Sequence, residues 1–335
     1  MTQQRRRREL DEDDVRVRPG RGKSRPRTKD RPAYADSVPG WVVTVDRGRF
    51  GCLVDGDGPR AEITAVKARE LGRKGVVVGD RVALVGALDG GDDALARIVR
   101  VEPRTSVLRR TADDSDPVER VIVANADQLA VVAAVADPVP RTGLVDRCLV
   151  AAYDAGLDPL LVVTKTDLAS PDELLATYAA LDVPHVAVRR GGDLTELVTR
   201  LHDRVTVLVG HSGVGKSTLV NALVPGASRA TAEVNEVTGR GRHTSTSAVV
   251  LGLAAGGWVI DTPGIRSFGL AHVDPARVVH AFPDLAAGTV DCPRSCSHDE
   301  PDCALDDWVA GGHADPVRLA SLRRLLRSRA LADSD

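Results

Sequence analysis

The segment at residues 210–218, whose sequence is GHSGVGKST, is the feature that most constrains how this chain can fold. It satisfies the pattern GxxxxGK followed by Ser or Thr, directly after the apolar run VTVLV and before the helix-like run STLVNALV. Glycines in such a loop let successive backbone N–H groups turn inward on phosphates, while the lysine reaches the β and γ oxygens. The spacing therefore predicts a strand, a phosphate-binding loop and a helix in succession, which is the core of an α/β nucleotide-binding domain.

Every residue of this loop is a candidate phosphate contact, and two of them have further predicted roles. Lys216 is also predicted to assist catalysis, and the hydroxyl of Ser217 is placed to bind Mg²⁺. The predicted contacts are Gly210, His211, Ser212, Gly213, Val214, Gly215, Lys216, Ser217 and Thr218.

A second motif, DTPG, ends an apolar strand about fifty residues after the loop begins. Its first residue, Asp261, is predicted to hold Mg²⁺ through the water shell of the ion, and the N–H of Gly264 is predicted to sense the γ-phosphate. Between the two motifs lies TGRGRHTSTSA, a Gly- and Arg-rich segment suited to a switch loop. Within it, Thr244 is the first choice for a hydroxyl that meets Mg²⁺ and the γ-phosphate.

The base-reading motif comes earlier in the chain than expected. The segment TKTDLA begins at Thr164, 46 residues before the phosphate-binding loop. Asp167 is placed to accept the N1–H and N2–H₂ groups of guanine, and the stem of Lys165 can lie along the base; adenine would leave that carboxylate unpaired. The usual form of the motif is NKxD, so Thr164 stands where an amide would be. This order predicts a circularly permuted GTP-binding domain, because new termini are tolerated in exposed connections.

The motifs leave the water-orienting residue open. Small GTPases usually place a glutamine directly after the DxxG motif, but this position is Ile265, so slow intrinsic hydrolysis is predicted. His243 in the switch loop is the first candidate to orient the attacking water, and His211 is the second. Arg240 and Arg242 are interpreted either as stabilising charge or as contacting RNA.

The pattern of charged, apolar and turn residues divides the chain into four segments and predicts a multidomain α/β protein. Residues 1–37 form a basic tail expected to be disordered; its first 31 residues hold twelve Lys or Arg against six acids, a charge of +6 (12 − 6). Residues 38–105 contain five short strands typical of an OB-type barrel, with an SH3-like barrel as the alternative. Residues 120–270 alternate apolar strands with helices, and residues 271–335 are predicted to be a helical metal-binding domain.

The last segment carries the candidate metal site. Its sequence CPRSCSHDEPDC places Cys292, Cys296, His298 and Cys303 within twelve residues. Three thiolates and one imidazole make a closed tetrahedral zinc site, which is structural and not catalytic, so one Zn²⁺ per chain is predicted. Cys148 lies on an apolar helical face and is interpreted as a packing residue.

The composition favours a soluble, cytoplasmic protein without membrane association, and a monomer is expected. The longest apolar run, at residues 129–136, is far shorter than the roughly 20 residues of a membrane helix, and the amino terminus lacks an apolar signal core. The tail, the barrel and the basic final helix are predicted to contact RNA phosphates. The basic residues of that helix are Arg318, Arg323, Arg324, Arg327 and Arg329.

This order of motifs, flanked by a barrel and a Cys/His cluster, resembles the ribosome small-subunit-dependent GTPase family, RsgA or YjeQ. The resemblance covers about residues 38–330 and rests on GHSGVGKST, GRGRHTST, DTPGIRSFG, TKTDL and the cluster. It implies an OB domain, a permuted GTPase domain and a zinc domain that bind GTP or GDP. It also implies hydrolysis stimulated by the 30S subunit, contact with 16S rRNA and a role in late small-subunit maturation. Two departures are Thr164 and cluster gaps of three and four residues, each one residue shorter than in the family.

Three other functions fit part of the sequence. A permuted GTPase of large-subunit assembly would share the motif order but not the barrel together with this cluster. An RNA-binding module could hold GTP as a structural ligand, and ribosomes would then not stimulate its hydrolysis. A P-loop kinase is disfavoured by TKTD and by the lack of an identifiable lid-like arginine segment.

Overall fold

The structure, a computed structural model, places most of its strands in one long sheet. The residues that it describes are 34–54, 62–72, 75–88, 95–110, 120–227, 248–262, 270 and 273–328. Among these residues, eleven strands join in the long sheet and two more pair with each other. Five strands of the long sheet close into a barrel, and the other six form an open sheet.

The barrel is built from the strands nearest the amino terminus. They are β1 (Val38–Asp46), β2 (Arg49–Val54), β3 (Glu62–Lys67), β4 (Arg81–Gly86) and β5 (Ala96–Val101). β1 pairs antiparallel with β2 and with β4, β2 with β3, and β4 with β5, while β3 and β5 are parallel. This closed order is that of an OB fold and not of an SH3-like barrel. Side chains alternate between the two faces, so that Ile63 and Ala65 are buried while Glu62 and Thr64 are exposed.

A two-stranded ribbon that the sequence did not predict follows the barrel. Its strands are β6 (Val107–Arg110) and β7 (Arg120–Ala124). Gly79 lies against β7 with a φ of +91°, and a Cβ at this position would be 1.9 Å from the carbonyl oxygen of Ala124. Only glycine fits this contact. The buried carboxylate of Asp80 accepts hydrogen bonds of 2.7 and 2.9 Å from Arg104, which fixes the segment leading from the barrel to the ribbon.

The open sheet has the buried, mostly parallel strands that the apolar runs predicted. Its strands are β8 (Gln128–Ala134), β9 (Asp158–Thr164), β10 (His185–Ala187), β11 (Val205–Val209), β12 (Val249–Gly252) and β13 (Trp258–Asp261). Their order is β10-β9-β8-β11-β13-β12, with β12 antiparallel to β13 and the other neighbours parallel. The helices of this part are α1 (Thr142–Ala155), α2 (Asp172–Tyr178), α3 (Thr195–Leu201) and α4 (Lys216–Leu223).

The strand order confirms the circular permutation. β8 and β9, which lead to the base-reading motif, precede β11 in the chain, yet β8 lies directly beside β11 in the sheet. Their register runs from Thr206 opposite Gln128 to Val209 opposite Val131. β12 and β13 form the predicted hairpin, and β12 also pairs with β1 of the barrel, with Thr44 opposite Val249. The barrel therefore continues the sheet at its β12 edge.

The carboxyl-terminal part is helical and packs on α1. Its helices are α5 (Pro275–His280), α6 (Pro283–Ala286), α7 (Ala304–Ala310) and α8 (Pro316–Ser328). The predicted leucine stripe of α8 is buried in the core cluster that also contains α1; it consists of Leu319, Leu322, Leu325 and Leu326. Cys148 of α1 lies in the same core, where burial raises the pKa of its thiol to about 12, so the packing interpretation is confirmed. Among the described residues, no helix combines the length and apolar character needed to span a membrane.

Four arginines of α8 have carboxylate partners within the chain. The pairs are Arg318 with Asp182 at 2.6 Å and Asp284 at 2.8 Å, Arg323 with Asp306 at 2.7 Å, Arg324 with Asp146 at 3.0 Å, and Arg327 with Asp299 at 2.6 Å. RNA phosphates would have to compete with these carboxylates for the four arginines, and the predicted contact of this helix with RNA stays a prediction. Arg329, the fifth, lies outside the described residues.

We expect the pair between α1 and α8 to contribute strongly to stability. The Asp146 side chain is only 5% exposed, and burial raises the pKa of its carboxyl although Arg324 opposes that change. Arg324→Ala would remove the only guanidinium that pairs with this buried carboxylate among the described ion pairs, leaving it the hydrogen bond of Tyr178, and should lower the free energy of unfolding by about 2–3 kcal/mol. Arg327→Ala is the matched control: its side chain is 63% exposed, so a loss below about 1 kcal/mol is expected. Urea unfolding followed by circular dichroism measures both, and equal losses would contradict this assignment.

Candidate nucleotide-binding site and metal centre

The phosphate-binding loop lies at the carboxyl end of β11 and leads into α4, as the sequence predicted. Gly210 follows the strand, and a Cβ there would be 2.6 Å from the carbonyl oxygen of Val132. Gly213 and Gly215 have φ values of +87° and +93°, which side chains other than glycine rarely adopt. The loop can therefore turn tightly and present backbone N–H groups and the amino end of an eight-residue helix to an anion.

Parallel pairing brings the predicted phosphate and magnesium residues together. Leu208 of β11 lies opposite Asp261 of β13, so the two strands end at the same edge of the sheet. The buried ammonium group of Lys216 contacts the Asp261 carboxylate and donates to the carbonyl of Thr262 at 2.5 Å. Ser217 is exposed in the first turn of α4. The pair of Lys216 and Asp261 thus lies at the start of α4, in the helix turn that also carries Ser217.

The base-reading loop is tied to the phosphate-binding loop by Thr164. Its buried hydroxyl donates to the carbonyl of Val214 at 2.6 Å, and the carbonyl of Ala133 lies 3.3 Å away. The threonine in place of the usual asparagine therefore still connects the two loops. Lys165 has a positive φ of 59°, and its ammonium group contacts the carbonyl of Asp137 in the loop after β8.

A cavity of about 320 Å³ lies between these loops. Asp167 is exposed in the turn closed by a 2.9 Å hydrogen bond from Leu168 N to Lys165 O. The cavity wall includes a segment that the motifs did not identify, residues 188–192 after β10. The lining residues are Thr164, Lys165, Val188, Arg189, Arg190, Gly191, Gly192, Leu194, Gly213, Gly215, Thr218, Leu219 and Ala222. The carboxyl ends of parallel neighbouring strands lie at the same edge of a sheet. This rule places residues 188–192, which follow β10, beside the loop that follows β9.

Several predicted catalytic and sensing residues lie outside the described residues. They are His243, Thr244 and Gly264, with Arg240, Arg242 and Ile265. His211, the second candidate for orienting water, is described: its Nδ1 lies 2.7 Å from the carbonyl oxygen of Ser212. Nδ1 can donate to that carbonyl only when it carries the proton, which leaves Nε2 as the nitrogen able to accept.

The four predicted metal ligands converge in the carboxyl-terminal part. Their donor atoms all lie within 4.8 Å of one another. The Cys292 sulfur is 3.7 Å from His298 Nδ1 and 3.9 Å from the Cys303 sulfur, and the last two atoms are 3.9 Å apart. Metal–sulfur bonds of about 2.3 Å require tetrahedral S···S edges of about 3.8 Å, so the cluster can hold a metal ion.

The short gaps of the cluster are accommodated by its backbone. Ser295 and His298 have φ values of 63° and 67°, so the chain reverses direction within few residues. Burial raises the pKa of Cys292, raises that of Cys296 to about 12, and lowers that of His298. The imidazole is thus kept in the neutral form that binds metals, and a dication would favour the thiolates that burial alone disfavours.

Comparisons with known proteins agree with this arrangement. The sequence model of the family described as RsgA GTPase matches residues 101–271. The chain is 35% identical to "Small ribosomal subunit biogenesis GTPase RsgA 1" of Vibrio vulnificus strain YJ016, over 90% of this chain and 86% of that protein. It is 41% identical to "Small ribosomal subunit biogenesis GTPase RsgA" of Azotobacter vinelandii, over 76% of this chain and 75% of that one.

Two solved structures resemble this one. YjeQ from Thermotoga maritima aligns with a TM-score of 0.63 at 26% identity, covering 88% of this chain and 99% of that one. YloQ, described as a circularly permuted GTPase, aligns with a TM-score of 0.62 at 21% identity, covering 88% of this chain and 95% of that one. These matches support the barrel, the permuted sheet and the helical part as one architecture.

We expect the hydroxyl of Thr164 to hold the base-reading loop against the phosphate-binding loop. Thr164→Val keeps the shape but leaves the carbonyl of Val214 without its donor, and should cost about 1–2 kcal/mol in the free energy of unfolding. Thr164→Val should also weaken GDP binding, because the backbone of the phosphate-binding loop is no longer held beside the base-reading loop. Thr164→Ser keeps the hydroxyl and serves as the control. Urea unfolding and GDP titration test the pair; indistinguishable variants would refute the role of the hydroxyl.

Proposed function

This chain belongs to the RsgA GTPase family, and from that membership we propose that it hydrolyses GTP in the biogenesis of the small ribosomal subunit. The observation that carries the proposal is the likeness, at 35% identity over 90% of this chain, to a protein named for that role. The meeting of the P-loop, DTPG and TKTD motifs at one edge of a permuted sheet agrees with it.

The residues of the phosphate-binding loop would hold the nucleotide through backbone N–H groups, with Lys216 on the β- and γ-phosphates. When bound, Mg²⁺ would neutralise phosphate charge; Ser217 and Thr244 are its proposed ligands, and Asp261 would hold it through its water shell. Lys216 contacts Asp261 in this structure. The same contact therefore keeps the ammonium group next to the place where phosphates and the ion would bind.

Guanine would be read by the loop after β9. Asp167 is exposed in that loop, two residues after Lys165, which lines the cavity, and its carboxylate would accept N1–H and N2–H₂. Adenine offers no such pair of donors, so ATP should be rejected. Thr164 would act indirectly, by holding the two loops together.

Hydrolysis would be slow in the free protein and faster on the ribosomal particle. Ile265 provides no side chain that can orient water, and His243 is the proposed substitute. Gly264 would sense the γ-phosphate through its N–H. Directionality would follow from a higher affinity of the GTP-bound state than of the GDP-bound state for the particle.

The barrel offers the more suitable surface for 16S rRNA. Arg49 of β2 and Arg97 of β5 both lie opposite Val66 of β3, so they share the outer face about 10 Å apart. Arg47 stands next to them in the turn between β1 and β2. In the described part of the chain none of the three arginines has a carboxylate partner, unlike the arginines of α8. The basic tail at residues 1–37 would add phosphate contacts.

The cluster of three cysteines and a histidine would hold one structural Zn²⁺. Soft thiolate ligands with one imidazole in a closed tetrahedron favour zinc among abundant divalent ions. Residues 271–335 would then be a zinc domain, beside a barrel domain at 38–105 and a permuted GTPase domain at 120–270. We propose that the protein works in the cytoplasm as a monomer.

The alternatives are less well supported. The relatives named above carry small-subunit roles in their names, so a large-subunit role is not favoured. Both are also named as GTPases, which disfavours a module that keeps GTP only as a structural ligand. A kinase would not be expected to share this permuted sheet with YloQ.

The deciding experiment is GTP hydrolysis by the purified protein alone, with 30S subunits and with 50S subunits. We expect stimulation by 30S subunits only, at least tenfold, with no hydrolysis of ATP above background, because the particle would complete the water-orienting site. His243→Ala should retain GTP binding and lose most of the stimulated rate. The proposal would be contradicted if GTP hydrolysis were as fast without 30S subunits as with them and if His243→Ala kept the wild-type rate.

The barrel surface supplies a control that leaves the nucleotide site intact. Arg49→Ala with Arg97→Ala should weaken 30S binding and flatten its salt dependence, because each lost phosphate contact reduces the number of released counterions. Intrinsic GTP hydrolysis should not change. Binding with an unchanged salt dependence would move the rRNA contact to another surface.

The zinc content of the purified protein tests the proposed metal site. Mass spectrometry under native conditions should find one zinc ion per chain, and Cys303→Ser should abolish or strongly weaken its binding, because it removes a buried ligand. Cys148→Ser, outside the cluster, is the control and should retain zinc. Loss of zinc should lower the stability of α7 and α8 toward proteolysis. A native chain without any bound metal would refute the zinc site.

A further inference from the structure

One edge of the long sheet is open among the residues that the structure describes. Strand β10 pairs in parallel with β9 and with no other described strand. On the side of β9, the carbonyl of Pro184 and the N–H of Val188 form hydrogen bonds of 2.9 and 2.7 Å. Backbone groups alternate in direction along a strand, so the N–H and carbonyl groups of His185 and Ala187 point toward the open edge. They are placed to pair with a further strand.

A groove of about 600 Å³ lies beside this edge, between β10 and α2. His185 lies opposite Leu161 of β9, so the two side chains share one face of the sheet. Leu161 is buried on this face and His185 is exposed, which shows that the helical layer ends over β9. Leu175 and Ala176 of α2 also line the groove, so part of its α2 wall is apolar.

The described lining of the groove contains carboxylates but no lysine or arginine. The two carboxylates are those of Asp172 and Asp182, and Glu173 is exposed next to the first of them. Asp182 pairs with Arg318 of α8, yet its side chain remains 79% exposed. Among the described residues, Asp172 and Glu173 have no cationic partner. The groove is therefore an acidic surface, which complements a basic partner.

An open strand edge next to a groove suits an extended chain. Such a chain adds itself as a further strand through backbone hydrogen bonds, while pockets select every second side chain. An edge of three residues offers few of these bonds, so side chains in the groove have to supply much of the affinity. Lysine and arginine suit these positions, because the aliphatic stem can lie along Leu175 and Ala176 while the charge meets Asp172.

We propose that β10 and the groove beside it bind an extended basic segment of a protein partner, which joins the sheet as an added strand and places its lysine or arginine side chains in the groove. The groove and the nucleotide cavity share no lining residue. The partner segment and GDP therefore bind to the same molecule at separate sites, and the proposal does not depend on the function proposed for the nucleotide site.

The test uses capped six-residue peptides and the full chain with GDP present. The probe alternates lysine and valine, and a peptide that alternates glutamate and valine is the charge control. Nuclear magnetic resonance measures binding and the hydrogen exchange of single amides. We expect the lysine peptide to slow exchange at His185 and Ala187 at least tenfold, because their N–H groups become hydrogen-bonded. Tighter binding of the glutamate peptide, or a lysine peptide that leaves both amides unprotected, would overturn the proposal.

Strand pairing is separated from simple charge attraction by methylating the peptide backbone. N–H groups of alternate residues point to opposite edges of a strand, so methylating the nitrogens of the lysines blocks one edge and methylating those of the valines blocks the other. One of these two peptides should bind at least tenfold more weakly than the other. Equal affinities would show that no strand is added to β10 and would overturn the proposal.

The groove itself is tested by charge reversal. Asp172→Lys should weaken binding of the lysine peptide about tenfold, because it places a like charge in the groove. Asp307→Lys is the matched control: Asp307 is an exposed acid in the first turn of α7, as Asp172 is in the first turn of α2, but it does not line the groove. Equal losses in the two variants would show that net charge alone attracts the peptide, and the groove would no longer be its site.

Discussion

The parallel pairing of β11 with β8 on one side and β13 on the other is the constraint on which the rest of the structure depends. Because parallel neighbours end at the same edge, it brings three sequence-distant segments to one place: the phosphate-binding loop, Asp261 and the loop that contains Thr164. Chain order does not enter this argument. The sheet keeps its geometry when the strands leading to the base-reading loop are moved ahead of β11, provided that the new connections run over the surface.

The permuted sheet is attached to the barrel on one side and to the carboxyl-terminal helices on the other. The barrel continues the sheet from β12, where Thr44 lies opposite Val249, and Trp41 of β1 meets Trp258 of β13 edge to face with ring centroids 4.9 Å apart. The helical part is held on the other side, by the ion pair between Asp146 of α1 and Arg324. Along the chain, the segment after DTPG leads directly into the helical part. The structure adds an attachment near the base-reading side, so a displacement of β12 and β13 would move the barrel relative to the helical part.

What the sequence could predict was local. The P-loop and TKTD follow from residue types at fixed spacing, and the four ligands around Cys292 lie within one short segment, so their convergence needs no knowledge of the fold. The β6–β7 ribbon was missed because its strands are short and separated by a polar stretch. The wall at Arg189 was missed because it becomes part of the cavity only when β10 is placed beside β9. Even the role of Thr164 required the fold, since its partner at Val214 is fifty residues away.

Arginine shows most directly why charge in a sequence does not identify a binding surface. The final helix is more basic in sequence than the barrel, but in α8 Arg323 pairs with Asp306 at 2.7 Å and its Nε donates to the carbonyl of His298 at 2.9 Å. A phosphate would have to displace these bonds, at a cost that offsets much of the attraction. Arg49 has no such partner in the described residues and can neutralise a phosphate with only the loss of hydration. The guanidinium groups that remain unmatched after folding, and not the most basic stretch of sequence, mark the surfaces available to an anionic partner.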